Sequence, residues 1–439
     1  MASTYLSRTP STGVNRRTFT FSAWIKRARI NSYDIIFEAS NGSHSFQMAT
    51  NPTGDGDCIR IYDYTGTTNL AIKTNQAFRD LSAWYHIVLA VDTTQATNTN
   101  RAKFYVNGEQ VTSLATSTYP SQNYDTGLNN SVPMQIGRQQ SSSTYFDGSM
   151  SHIHFADGQA YAPTVFGETD ATTGEWKIKT SPSVTYGTNG FFILKDGNSV
   201  TDQSGNTNNF TVAGGTLTKT EDNPSNVFAT WNPLIFYNNR TTTNGNTTFT
   251  NTATNWTSGF STLSASQSKW YVEIKPIAGS YNYFGIINSD DIYQAGALND
   301  SLGGASIGQP AAIYQSNSGN KNINTVNTSF GATFTSGDII GMAVDLDNLK
   351  IYWSKDNVWQ GGGDPTAGTG GITITGDTNY AVAIGCYAGS ATQANFGNGY
   401  FGTTAVASGN ADGAGYGIFE YAPPTGYYSL CTKNINTYG

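Results

Sequence analysis

Residues Thr18–Arg27 read TFTFSAWIKR, and this stretch decides the fold class. Phe19, Phe21, Ala23 and Ile25 alternate with Thr18, Thr20, Ser22 and Trp24. A period of two belongs to a β-strand that puts one face in a core. On either side the pattern repeats. Asp34–Glu38, Ser45–Met48 and Cys58–Tyr62 are short apolar runs, and Trp84–Val91 (WYHIVLAV) is almost continuously apolar, as a central strand is. Lys103–Val106 and Gln110–Ser113 flank Asn107-Gly108, which predicts a hairpin with a type I′ turn, because both turn residues need positive φ. Met134–Gly137 and Ser149–Phe155 follow. Strands spaced about ten residues apart, with turn residues between them, predict a sandwich or jelly roll.

Composition supports the same class. Of 439 residues only 12% are charged, against about 25% in an average domain, while 13% are aromatic and 48 are Gly. The acids are 23 Asp and 7 Glu, and the bases 13 Lys and 10 Arg. Glu and Lys, the usual solvating residues of helices, give way to Thr, Ser, Asn, Gly and Tyr, which favour strands and turns. A helical bundle, a coiled coil and a Rossmann enzyme are disfavoured. The net charge of −7 argues against nucleic acid as the main partner, since phosphate binding needs a basic face. No apolar run approaches the 18 or so residues of a membrane span. The start, MASTYLSRTPS, has no apolar signal region, and Cys58, Cys386 and Cys431 form no disulfide framework or CxxC motif. The expectation is folding in a cytoplasm.

Beyond the first block the chain is less regular. Gly190–Leu194 and Asn209–Val212 read as edge strands supplied by an extended connector. A second strand-rich block follows, with Lys269–Ile274, Tyr283–Ile287, Asp338–Leu346, Lys350–Ser354, Val358–Gln360, Tyr380–Cys386 and Gln393–Phe396. A Gly-rich tail brings Tyr416, Phe419, Tyr421, Tyr427 and Tyr428 to pack on it. The expected fold is all-β, two antiparallel β-sandwiches joined by a connector.

TFTFSAWIKR, Trp84–Asp92 (WYHIVLAVD), Lys103–Val111 (KFYVNGEQV), Met134–Arg138 (MQIGR) and Phe146–Gln159 (FDGSMSHIHFADGQ) resemble the successive strands of a laminin-G-like, concanavalin-A-type jelly roll. Lys269–Ile274, Tyr283–Asn288 (YFGIIN), Gly337–Trp353 and Val382–Gly397 resemble a SPRY domain. The resemblance divides the chain into a jelly roll over 1–165, a connector over 166–235, a SPRY-like sandwich over 236–405 and a tail over 406–439. The pairing, with Asp157–Asp170, Asp202–Phe210 (DQSGNTNNF), Asn223–Leu234 and Ala422–Asn434, is similar to a group of marine tailed-phage proteins. It implies a virion component: a tail fibre or adhesin that binds host-surface glycan or protein, or else a capsid decoration or knob on the head. Such a part is expected to meet other virion proteins and to self-associate, a trimer being favoured.

Candidate sites divide by chemistry. Glucanases of the jelly-roll fold resemble one another in a Glu-x-Asp-x-Glu strand, which this chain lacks; its seven Glu are isolated and read as solvent-facing charges. A polysaccharide depolymerase is therefore the lesser expectation and a non-enzymatic protein the main one. His152 and His154 stand at i and i+2 of an expected strand, a spacing that suits a metal, but polar surface residues are the favoured reading. Asp55, Asp57 and Asp63 are the first candidates for calcium, which takes several oxygen ligands from acidic loops and which laminin-G-like sandwiches carry on the rim. No other cofactor is expected. Tyrosines in polar loops suit sugar or protein recognition, with Tyr62 and Tyr64 in the first block. The SPRY resemblance adds Tyr281, Tyr283 and Trp359 in the second. Packing against a sheet is the competing role for each.

Overall fold

The computed structural model describes residues 3–12, 14–51, 56–179, 181–195, 199–235, 240–292, 302, 311–375 and 379–439. The chain divides into two compact units, Met1–Lys219 and Thr220–Gly439. Both are β-sandwiches, and the one α-helix among the described residues is Thr432–Tyr438.

In the first unit an eight-stranded antiparallel sheet runs, in spatial order, Leu114–Thr118, Thr68–Thr74, Cys58–Tyr64, Ser45–Asn51, Ile35–Ser40, Met134–Ile136, Tyr5–Arg8 and Thr211–Gly214. A six-stranded sheet faces it, in the order Phe191–Ile193, Gly148–Asp157, Thr18–Arg27, Tyr85–Asp92, Ala102–Val106 and Glu109–Gln110. Alternation does the work that the opening stretch predicts. Phe19, Phe21, Ala23 and Ile25 enter the core with Phe37, Phe46, Met48, Ile59 and Ile61 from the other sheet. The strands Phe191–Ile193 and Thr211–Gly214, from the expected connector, are edge strands of these two sheets. Asn107 (φ 47°) and Gly108 (φ 87°) make the tight turn, but the strand after it is only Glu109–Gln110, shorter than Gln110–Ser113.

The outward face of the six-stranded sheet is covered. Trp24 stacks on His86 at 4.8 Å, and His86 on Trp176 at 5.9 Å. The Trp176 indole N–H donates to His86 Nδ1 at 3.0 Å, so the imidazole proton sits on Nε2 and is donated to Ser22 Oγ at 2.9 Å. His154, expected at the surface, is buried with its ring 3.9 Å from that of Phe192. A bulge with His152 at φ 47° interrupts the strand between the two histidines, so a simple i, i+2 geometry does not hold.

In the second unit a six-stranded sheet runs Trp256–Ala265, Tyr380–Tyr387, Asn282–Asn288, Ala311–Gln315, Asn320–Ile323 and Val326–Ser329. The larger sheet centres on Lys269–Ala278 between Ala391–Asn395 and Ile340–Asp345, and continues through Lys350–Lys355. The tail lies on its outward face, where Phe419 and Tyr427 bury Tyr271, Ala343 and Tyr352. Glu273 is consequently buried, not solvent-facing, and so is Glu38 in the first unit. Both sit on outward sheet faces that loops or the tail cover, which the strand pattern alone does not reveal.

Candidate functional site: an aromatic corner and an arginine–tyrosine sheet face

Three strand ends of the second unit bring four rings together. Trp256 opens the strand Trp256–Ala265 and stands directly opposite Tyr387, the last residue of Tyr380–Tyr387. Tyr281 precedes the neighbouring strand Asn282–Asn288, in which Tyr283 is the second residue. Period two puts Tyr281 and Tyr283 on the same face as Trp256 and Tyr387. Trp256 lies 4.7 Å from Tyr283, 5.3 Å from Tyr387 and 6.1 Å from Tyr281. Tyr281 meets Trp256 at 75° and Tyr387 at 76°, so the rings make walls at right angles.

Local chemistry holds this corner. The Asn251 side-chain amide donates to the carbonyls of Asn255 (2.6 Å) and Cys386 (2.8 Å), clamping the start of one strand to the end of the other. The Tyr387 N–H donates to the Tyr281 carbonyl at 3.2 Å. Gly279 has φ 76°, and a Cβ there would stand 2.1 Å from Ser390 Oγ, so only glycine lets the two turns approach. Tyr281 is 40% exposed, Tyr283 is buried, and Trp256 and Tyr387 are half-buried. Burial and the neighbouring Tyr281 hold the Tyr283 phenol above its ordinary range. Such rings present flat apolar faces with polar edges, a surface suited to the C–H faces and hydroxyls of a sugar or to a peptide. Trp359 is not part of this corner. It opposes Ser354 in the other sheet and packs beside the Tyr271, Tyr352 and Phe419 cluster. Trp256 and Tyr387 escaped the sequence reading, because Trp256–Ala265 (WTSGFSTLSA) is Ser/Thr-rich and has little apolar contrast.

In the first unit, Tyr62 and Tyr64 lie on the outward face of the eight-stranded sheet, rings nearly parallel (8°) at 6.2 Å. The Arg60 guanidinium lies over the rings of Tyr33 (5.5 Å) and Tyr62 (5.4 Å), and donates to Tyr33 Oη (2.9 Å) and Gln47 Oε1 (3.0 Å).

The three acids considered for calcium are placed differently. Asp55 lies outside the described residues. Asp57 is fully buried, bound to Arg27 Nη2 at 3.0 Å, the Asn31 N–H at 2.7 Å and Arg79 Nε at 3.3 Å. Asp63 lies six residues along the strand, about 20 Å away at 3.3 Å per residue. It accepts from the Gly127 N–H at 2.9 Å, and burial pushes it up to about 6. Asp57 and Asp63 do not share a site. Among the described residues no three His, Cys, Asp or Glu side chains gather to hold a metal, and no helix is long and apolar enough to cross a membrane.

Comparison with known proteins places the first sandwich. Residues 2–165 match the family described as the concanavalin A-like lectin/glucanases superfamily. The chain is similar to the SPRY domain of human HERC1 (14% identity, TM-score 0.26, 34% of this chain and 87% of that one). It is similar to the TRIM65 PSpry domain (11%, TM-score 0.29, 38% and 88%). It is also similar to the native heptameric SAP-like pentraxin of Limulus polyphemus (14%, TM-score 0.27, 36% and 71%). No curated protein matches the chain.

Proposed function

We propose that this chain is a non-enzymatic binding protein of a tailed-phage particle, a tail-fibre or adhesin-type component that attaches to a host-surface glycan. The observation that carries the binding role is the corner of Trp256, Tyr281, Tyr283 and Tyr387, four rings with no protein hydrogen bond to their polar edges among the described residues. Trp256, Tyr281 and Tyr387, partly open at a sheet end over the buried Tyr283 and with their polar atoms uncommitted, are suited to recognition. The lectin-type family match of the first sandwich supports binding as the general task. The particle assignment rests on the connector and tail signatures. Glu273, the strand glutamate that a hydrolase reading would enlist, is occupied in holding the tail.

The test is binding of the purified chain to an array of neutral and acidic glycans and to host cells, with W256A and Y281A beside it. Loss of binding in both variants, with unchanged melting, supports the site. Undiminished binding overturns it. Immunolabelling of particles reports the second part: label on the tail supports the attachment role, and label on the head replaces it with capsid decoration. Release of reducing ends from any bound glycan would overturn the non-enzymatic reading.

A further inference from the structure

We infer that the outward face of the eight-stranded sheet in the first unit is a separate binding site for a sparsely charged anionic polysaccharide, one carrying carboxylate or sulfate groups. Two arginine–tyrosine stacks carry the inference. In one, Arg60 lies over Tyr33 and Tyr62, with Tyr64 beside it. In the other, Arg138 lies 4.6 Å from the ring of Tyr5 and 5.7 Å from that of Tyr145. Neither arginine has an ion-pair partner among the described residues. In a chain of net charge −7, two such cations on one sheet face stand out.

The strand register adds to this. Lys73 stands directly opposite Arg60 on the adjacent strand. Among the described residues the one acid at an outward strand position on this face is Glu38, whose carboxyl lies in the field of Arg138 but is already held by protein donors. It is buried and accepts from the Gln140 N–H, Gln47 Nε2 and Ser45 Oγ. Tyr64 is 37% exposed, and Arg60, Tyr62, Arg138 and Tyr145 are half-buried, so both stacks reach solvent on either side of the buried Glu38.

The spacing selects the ligand. Cys58–Tyr64 and Met134–Ile136, the strands that carry or precede the two arginines, are three strands apart, on the order of 14 Å at about 4.8 Å per strand. Between them Gln47, Glu38 and Gln135 stand side by side and are buried, so the two stacks are separate points of contact. A nucleic acid strand presents a phosphate at every residue and is held by a continuous basic groove. Charges this far apart, each beside tyrosine rings, suit a polysaccharide whose acidic groups are interspersed with hydroxyls. An arginine already stacked on rings keeps its planar fork oriented for a carboxylate or sulfate.

The experiment uses the whole chain on beads carrying dextran sulfate, alginate or neutral dextran, at about 50 mM and about 300 mM salt, where contacts to a polyanion separate from neutral ones. The expected result is retention on both anionic supports at low salt, loss at high salt and no retention on dextran. R60Q and R138Q each weaken retention about tenfold, and R60K also weakens it, because lysine keeps the charge without the stacked fork. Retention unchanged in R60Q and R138Q overturns the site. So does displacement by oligothymidylate as effective as by dextran sulfate, which would make the face a nucleic-acid site. Should the arginine variants lose the fold in circular dichroism, K73Q provides the reading: weaker retention at low salt supports the site, and no change overturns it. W256A separates this site from the aromatic corner, since it must leave anionic retention intact.

Discussion

The backbone N–H of Tyr421 donates to Glu273 Oε1 at 2.7 Å, joining residues 148 apart in the chain. The Glu420 N–H (2.9 Å) and the Asn395 amide (3.0 Å) donate to Oε2, and the Tyr271 hydroxyl to Oε1 (3.3 Å). One carboxylate thus pins the tail to the sheet. Glu273→Ala leaves these buried donors unmatched and is expected to lower stability by about 3 kcal/mol, measured by denaturant unfolding. Burial pushes Glu273 up to about 7 from 4.5, against the pull of its donors. The folded state then keeps a proton that the unfolded chain releases. Its contribution is full below pH 4.5 and declines as pH rises towards 7. Glu273→Gln should remove that part of the pH dependence.

His86 works in the opposite sense. Burial, with His152 nearby, takes it down to about 3 from 6.5. The unfolded chain binds a proton that the folded one refuses, so stability is full above pH 6.5 and falls as pH drops towards 3. Thermal melts of the wild type should show this loss on acidification. Trp176→Phe, which removes the donor to Nδ1, should melt lower at pH 7 by the worth of one buried hydrogen bond, about 1 kcal/mol.

Gly108→Ala tests the hairpin. The residue has φ 87°, and an added Cβ would stand 2.6 Å from the Trp176 ring. Strain and overlap together should cost about 1–3 kcal/mol in equilibrium unfolding.

Two neighbouring tyrosines should separate binding from stability. Tyr281→Ala, at a 40% exposed position, is expected to leave the melting temperature within experimental error and to weaken glycan binding. Tyr283→Ala removes a buried ring and should cost about 3 kcal/mol as well.

Asp57→Asn breaks the buried pair with Arg27 and is expected to destabilise by about 3–5 kcal/mol, with or without calcium. A loss seen only in the presence of calcium would place an ion there instead.

Alternation in the sequence was enough for the all-β class, for the inward faces of the strands and for the Asn107-Gly108 turn, because side-chain period and positive φ are local properties. Tyr281 and Tyr283 could be singled out through the SPRY resemblance, which also offered Trp359, a residue outside the corner. Trp256 and Tyr387 could not, since their neighbourhood exists only once strands more than a hundred residues apart pair in register. The burial of Glu38, Glu273 and His154 was hidden as well: a period of two tells which face a residue occupies but not whether another segment covers that face. Sequence determined what each strand offers. Tertiary structure decided what meets it, and so which polar groups anchor the fold and which remain open for a ligand, because pairing and coverage depend on contacts between residues distant in the chain.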